Sequence, residues 1–403
     1  MLDAYIYDGL RSPIGRHAGK LAPIRPDDLA AEVIKEVTAR NKIDPAEITD
    51  VVMGCVNQAG EDSRNVARFA ALLAGLPPTT PGATVNRLCA SGLQAVVDAS
   101  RAVSCGEGDL YIAGGVESMS RAPYVIGKAD TPYSRDAKMY DTTIGSRFPN
   151  PKIVKQYGNH TMPETGDNVA KDFGISREQA DEFALASQQK YATAEKEGFF
   201  AGEILPVTLP SKKKEAPGES ISKDEHPRRD ATLEALAKLK PLFEGGVVTA
   251  GNASGVNDGA AALVIANRKW AEKKGKKPIA RVLATASAGV EPRIMGVGPA
   301  YAIPRALERA GLQLKDMDVI EINEAFASQV LGCLKLMNVD FKDPRVNPNG
   351  GAIAIGHPLG ASGARLALTV ARELQQSGAR YAAVSLCIGV GQGLAVILER
   401  VKE

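Results

Sequence analysis

Cys89 stands in Val85-Asn86-Arg87-Leu88-Cys89-Ala90-Ser91-Gly92, directly before an amphipathic helical pattern with Leu93, Val96 and Val97 on one face. A helix N-terminus offers free N–H donors and partial positive charge. Both favour a thiolate over a thiol and predict a lowered pKa at Cys89. The other reading of a lone cysteine is a small buried core residue. A second stretch, Asn349-Gly350-Gly351-Ala352-Ile353-Ala354-Ile355-Gly356-His357-Pro358-Leu359-Gly360-Ala361-Ser362-Gly363, surrounds one of only four histidines with glycine. Pro358 forces His357 to extended backbone. A neutral imidazole there could act as general base toward a thiol. A turn histidine or a phosphate-cradling loop are the alternatives, although the spacing fits neither common nucleotide-binding glycine pattern. The third stretch is Cys387-Ile388-Gly389-Val390-Gly391-Gln392-Gly393. Unobstructed backbone N–H groups after a strand, Gly389 among them, are what an oxyanion needs; a bulge or hairpin with a buried cysteine would read the same. Finally, Asn323-Glu324-Ala325-Phe326-Ala327 follows the apolar run Val319 to Ile322. The carboxyl end of a strand is where an open α/β sheet keeps its site, though a helix cap explains these residues equally well.

The elements that must position these groups follow a β/α rhythm. Ala4 to Tyr7, Val51 to Met53 and Leu110 to Ala113 read as strands, the last ending at Gly114-Gly115; Asp28 to Arg40 reads as a helix. The alternation returns near Ala280 and continues to Ile397, and it predicts a largely parallel sheet with helices on both faces. An internal repeat is visible. A helix end, a polar loop and a strand occur at Asn41 to Val52 and again at Ala310 to Ile320. Ala90-Ser91-Gly92 and Ala361-Ser362-Gly363 each open an apolar helix, and Asp109 to Gly115 and Arg380 to Gly389 each run from a strand into glycines. Two duplicated β/α halves are expected. Ser118 to Val247 breaks the rhythm and reads as an irregular insertion holding one clear helix, Ser176 to about Glu197, opened by Ser176 and Gln179 and closed by Gly198. The expected division is 1–118, completed by about 248–275, then 119–247, then 276–403.

The 403 residues carry 49 Lys plus Arg against 47 Asp plus Glu, a net charge of +2. That balance argues against a nucleic-acid-binding protein. No apolar run reaches the ~18 residues of a membrane span, and the N-terminus lacks the basic and apolar regions of a signal peptide. Five dispersed cysteines, none in a Cys-x-x-Cys pair, point away from a disulfide framework or a zinc site. A soluble, cytoplasmic protein without a metal is expected.

Asn86-Arg87-Leu88-Cys89-Ala90-Ser91-Gly92, Asn323-Glu324-Ala325-Phe326-Ala327, Gly356-His357-Pro358-Leu359-Gly360 and Cys387-Ile388-Gly389-Val390-Gly391-Gln392-Gly393 occur in that order. Together with Gly114-Gly115-Val116-Glu117-Ser118-Met119-Ser120 and Ala250-Gly251-Asn252-Ala253-Ser254-Gly255 they resemble the thiolase family, the acyl-CoA C-acyltransferases, over essentially the whole chain. Gly60 to Arg68, Asp141-Thr142-Thr143-Ile144-Gly145 and Met162-Pro163-Glu164-Thr165 are most similar to the 3-oxoadipyl-CoA thiolases within it. Where that subgroup tends to carry Trp after Ile-Gly, this chain has Ser146, which implies a wider or displaced acyl pocket.

The resemblance implies an α/β thiolase fold of αβαβα layers with an inserted loop subdomain. It implies Cys89 as acyl-accepting nucleophile, His357 as base and Cys387 as the acid that protonates the enolate. It gives Asn323 a water-holding role and Gly389 an oxyanion-binding N–H. Coenzyme A enters as co-substrate, with no tightly bound cofactor. Ser254, Met162 and Phe326 would line the pantetheine path and Arg228 would meet the nucleotide end; Lys212-Lys213-Lys214 could face phosphates but reads first as a solvated charged loop. A homodimer or homotetramer is implied. The alternatives are an acetoacetyl-CoA thiolase, an acyl-CoA-binding protein of the same fold without turnover, and a thiol-redox protein using Cys89 and Cys387.

Overall fold

The computed structural model describes residues 2–211 and 218–401. Lys212, Lys213 and Lys214 lie outside the described residues.

Among the described residues, nine strands build the main sheet: β1 (Ala4–Arg11), β2 (Asp50–Gly54), β3 (Gly82–Val85), β4 (Leu110–Ser118), β5 (Asn257–Ala266), β6 (Ala280–Gly289), β7 (Val319–Ile322), β8 (Tyr381–Ile388) and β9 (Gln392–Arg400). A two-residue strand, Gly15–Arg16, pairs with β5 as the tenth. The spatial order is β7-β8-β9-β6-β1-β5-β4-β2-β3. In the first half β2 runs parallel to β3 and β4, while β5 is antiparallel to β4 and β1. The second half repeats this plan: β7 is parallel to β8 and, at Ile320–Val346, to a short segment standing where β3 stands, while β9 is antiparallel to β8 and β6. The sheet is therefore mixed, which corrects the expectation of a largely parallel one: five of the eight neighbouring pairs in this order are antiparallel, because the last strand of each half returns antiparallel to both its neighbours and the halves join antiparallel. The halves meet where Ala4, Tyr5 and Ile6 pair with Val282, Arg281 and Ala280.

Eight longer helices cover the sheet and carry the site: α1 (Pro26–Arg40), α2 (Val66–Leu73), α3 (Ser91–Cys105), α4 (Met162–Phe173), α5 (Arg177–Lys196), α6 (Gly298–Ala310), α7 (Ala327–Leu336) and α8 (Leu359–Ser377). Successive strand residues face opposite sides, and three large cores result, with two small clusters beside them. Leu93 and Val97 of α3 and Leu366 and Val370 of α8 pack between the halves, against Ala113 and Leu263 on one side and Leu386 and Val396 on the other. Leu29 and Val33 of α1 cover Ile112 and Val264 from outside. Ile303 of α6 and Val330 of α7 cover Ile320 and Ile397 from the opposite outside. The result is five layers, helix, sheet, helix, sheet, helix, with α3 and α8 in the middle.

Two further expectations need correction. Strand β4 does not end at Gly114-Gly115 but continues to Ser118. The glycines are there for close approach: a Cβ on Gly115 would lie 1.9 Å from the Gly360 carbonyl at the start of α8. The segment 119–247 holds more than one helix. Pro151–Tyr157, α4 and Leu233–Ala237 accompany α5, which opens at Ser176 and stops before Gly198 as expected. Helix α4 is weakly apolar and carries Pro163, which hid it. Its markers are a capping box between Thr161 and Glu164 and a left-handed Gly174 at its end.

Candidate active site

The two central helices aim their N-termini into one region. α3 starts at Ser91, two residues after Cys89, and α8 starts at Leu359, two residues after His357. A sharp turn presents Cys89. Leu88 takes φ +47, a left-handed value costly for a branched side chain. The Ser91 hydroxyl holds the turn by donating to the Leu88 carbonyl at 2.6 Å and accepting the Arg87 N–H at 2.9 Å. The strained backbone at a reactive side chain is the usual signature of a functional turn.

His357 is 4 % exposed. Its backbone N–H donates to Asn257 Oδ1 at 2.9 Å. The Ser362 hydroxyl donates to the Pro358 carbonyl at 2.9 Å, so at 2.6 Å from His357 Nδ1 its oxygen accepts the ring N–H. That leaves Nε2 with the lone pair, 3.4 Å from the Asn323 amide nitrogen. Burial, reinforced by the Arg365 charge, holds the His357 pKa down to about 3. The resting imidazole is neutral and can accept a proton at Nε2.

Cys89 is likewise kept neutral. Burial pushes its thiol up to about 11, although the N–H groups of Gly389 and of Cys89 itself point at the sulfur and pull the other way. This corrects the expectation of a lowered pKa: loss of hydration outweighs the helix terminus. Cys387, fully buried on β8, has its thiol pushed well above 9 by burial and by the neighbouring Cys89 and Cys333 charges. It packs in a small apolar cluster with Phe326, Ala325, Val248 and Met295, against which Met162 and Ala253 lie. Met162 Sδ also comes within 3.9 Å of where a Gly389 Cβ would stand, so Met162, Gly389 and Cys387 share one wall. Ser254 is tied to this wall by donating its N–H to Ala325 O at 2.9 Å. Phe326 is buried against Gly166 of α4. Arg228 lies apart on an exposed segment, its N–H donating to Gln188 Oε1 at 2.9 Å. Asn323 is fully buried, and its Oδ1 accepts no hydrogen bond among the described residues.

Profiles of the thiolase N-terminal domain and the thiolase C-terminal domain match residues 4–269 and 276–400. The chain belongs to the thiolase family. Over all 403 residues this thiolase is 58% identical to the 3-oxoadipyl-CoA/3-oxo-5,6-dehydrosuberyl-CoA thiolase of Escherichia coli, covering 100% of each chain. It is 56% identical to the β-ketoadipyl-CoA thiolase of Pseudomonas aeruginosa, over 99% of each. Among solved structures it superimposes on the Bacillus anthracis acetyl-CoA acetyltransferase with a TM-score of 0.92 at 39% identity, covering 100% of this chain and 99% of that one. Human mitochondrial 3-ketoacyl-CoA thiolase in complex with CoA gives 0.91 at 39% identity, covering 99% and 98%. The protein is an acyltransferase of this class.

Two carboxylates that no sequence motif singles out organise the thiolase site. Glu117, on β4, accepts the N–H groups of Val56, Asn57 and Gly360 at 2.8–3.0 Å and so ties the loop after β2 to the start of α8. Glu324 accepts from Ser187, Asn347 and the Ile353 N–H at 2.6–3.1 Å, locking the loop after β7 to the histidine loop. Both sit inside stretches that were legible, but a buried acid within an apolar strand or at a strand end gives no sign of what it holds.

Proposed function

We propose that this thiolase cleaves 3-oxoadipyl-CoA, or a closely similar 3-oxoacyl-CoA, with free CoA. The mechanism is supported by the Gly389 N–H aimed at the Cys89 sulfur, by the proximity of Cys387 to Cys89, and by the close seating of the two helix starts that follow Cys89 and His357. Cys89 attacks the 3-oxo carbon while His357 Nε2 takes the thiol proton. The C2–C3 bond breaks, its electron pair going to the acetyl-CoA enolate, which Cys387 protonates. The CoA thiol then attacks acyl-Cys89, its proton returning to the Cys387 thiolate, and the departing Cys89 sulfur recovers its proton from the His357 imidazolium. A thioester intermediate keeps the acyl group transferable. The N–H groups of Cys89 and Gly389 stabilise one oxyanion; His357, with a water held at Asn323 Oδ1, stabilises the other. Removing one such donor costs ~10²–10³ in kcat. Ser254, Met162 and Phe326 line the pantetheine path and Arg228 meets the nucleotide phosphates, with coenzyme A as co-substrate and no resident cofactor. The substrate class is supported by the full-length similarity to thiolases named for 3-oxoadipyl-CoA and β-ketoadipyl-CoA.

The same reading divides the chain at 1–118 plus about 248–275, 119–247 and 276–403, and gives it a cytoplasmic location, in keeping with five free cysteines. It also makes the enzyme a homodimer or homotetramer. Strand β3 is an open sheet edge, and Phe69, Leu72 and Leu73 of neighbouring α2 are exposed. Light scattering measures that state directly. The decisive experiment is CoA-dependent thiolysis of 3-oxoadipyl-CoA and acetoacetyl-CoA side by side on the purified protein. A clear preference in kcat/KM for 3-oxoadipyl-CoA is expected; a preference for acetoacetyl-CoA would replace this reading with that of a short-chain thiolase.

A further inference from the structure

A second histidine is built into the support of the first. His226 lies in the segment Lys223-Asp224-Glu225-His226-Pro227-Arg228, which is pinned on both sides. Two residues before it, Asp224 takes two bonds from the fully buried Arg11 guanidinium at 2.7 and 2.9 Å, one from Tyr191 at 3.0 Å and one from the Ile14 N–H at 2.8 Å. Two residues after it, Arg228 N–H is held by Gln188 on α5. Between these anchors the imidazole faces the loop that carries His357.

The contacts form a closed chain. Asn257 Oδ1 accepts the His357 backbone N–H, which fixes the amide's orientation; Nδ2 donates to the Gly15 carbonyl at 2.9 Å and also faces His226 Nδ1, 3.4 Å away. An amide nitrogen only donates, so Nδ1 of His226 accepts and its other ring nitrogen carries the proton. That N–H bonds to the Ile353 carbonyl, which also receives Gln188 Nε2 at 3.1 Å. Burial, with the Arg228 and Arg16 charges, holds the His226 pKa down to about 4, so this pattern of one donor and one acceptor persists at neutral pH. The fit is tight: a Cβ on Gly255 would lie 2.3 Å from the ring. The other side of the same loop is held by Glu324 and Ser187, which bond to the N–H groups of Ile353 and Gly351.

We infer that His226 is a positioning residue for His357: by bonding both Asn257 and Ile353 it sets the backbone from which the catalytic imidazole projects. This rests on the role proposed for His357. A displacement of about 1 Å at a reacting group costs up to ~10²-fold in rate, so the loop's anchorage has kinetic weight although His226 touches no substrate.

The test compares His226→Phe, which keeps a flat ring but loses both bonds, with His226→Gln, whose amide retains one donor and one acceptor. Thiolysis by H226F should lose about tenfold or more in kcat, with KM for CoA within about twofold of wild type. H226Q should recover most of that loss. Should H226F not fold, His226→Asn, too short to span both partners, must show the same fall in kcat. An unchanged kcat in the folded variant lacking both bonds, or a loss that H226Q does not recover, overturns the inference. His357→Ala runs alongside: if that variant keeps turnover, the proposed role of His357 has failed; if it is dead while H226F matches wild type, only the positioning role has.

Discussion

Cys89 and His357 occupy equivalent places, two residues ahead of the central helices of two halves with one strand order, yet they are held by opposite means. Cys89 is fixed by its own chain: a left-handed Leu88 and a serine three residues along the turn. It stays partly exposed. His357 is buried and fixed by distant groups, namely Asn257 from β5 and Asn323 beyond β7, together with Ser362 from the helix it precedes. A nucleophile must be reachable by a large thioester, and a local turn leaves Cys89 partly exposed although the protein packed round its sulfur raises the pKa. A base must keep one nitrogen protonated and the other free, and only partners on both nitrogens enforce that. Duplication supplied two helix starts; the chemistry then demanded a different setting at each.

The comparison is most strongly tested by removing the two groups. Cys89→Ser should abolish acyl-enzyme formation, seen by mass spectrometry of protein incubated with a 3-oxoacyl-CoA, and lower turnover by roughly 10³-fold or more. Full turnover in that variant would mean the open position is not the nucleophile's. His357→Ala should cost on the order of 10²–10⁴ in kcat while CoA affinity, measured by calorimetry, stays near wild type; the reverse pattern would make the closed position a binding site. A milder test concerns their resting charges. With Cys89 pushed up to about 11 and His357 down to about 3, the free enzyme holds a neutral pair at neutral pH. Iodoacetamide inactivation should therefore accelerate roughly tenfold per pH unit from about pH 7 to 9. A plateau reached below neutrality would reveal a preformed thiolate–imidazolium pair instead. The smallest effect lies where the helices touch. A Cβ on Gly92 would stand 2.5 Å from the Gly360 carbonyl, so Gly92→Ala should lower the unfolding free energy by about 1–3 kcal/mol, read as a reduced urea midpoint with an unchanged slope. No loss there would mean that the two helix starts are not closely seated.

Much of this was legible in the residues. The β/α rhythm, the duplicated features and the helix opened by Ser176 and Gln179 depend on local pattern and capping, which the chain states directly. Cys89, His357, Asn323 and Cys387 were legible because glycines, a proline and strand ends surround them. What was not legible depends on contacts between distant segments. Gly114 and Gly115 read as a strand's end because nothing local reveals strand β5 against the first or the start of α8 against the second. Cys89 reads as acidified because a helix terminus is visible in sequence and burial is not. His226 and Glu117 carry no local signal because each acts on a loop more than a hundred residues away in the chain.

The three-residue seam joining the halves has a consequence for how the protein is made. Strand β1 pairs with β5 on one side and with β6 on the other, and both are synthesised only after the whole insertion has been translated. Neither sheet can acquire its edge-to-edge partner early, so assembly depends on contacts of long sequence separation, which slow folding. Until β5 and β6 emerge, β1 is an apolar strand with both edges open, the kind of segment that misassociates or calls for a chaperone.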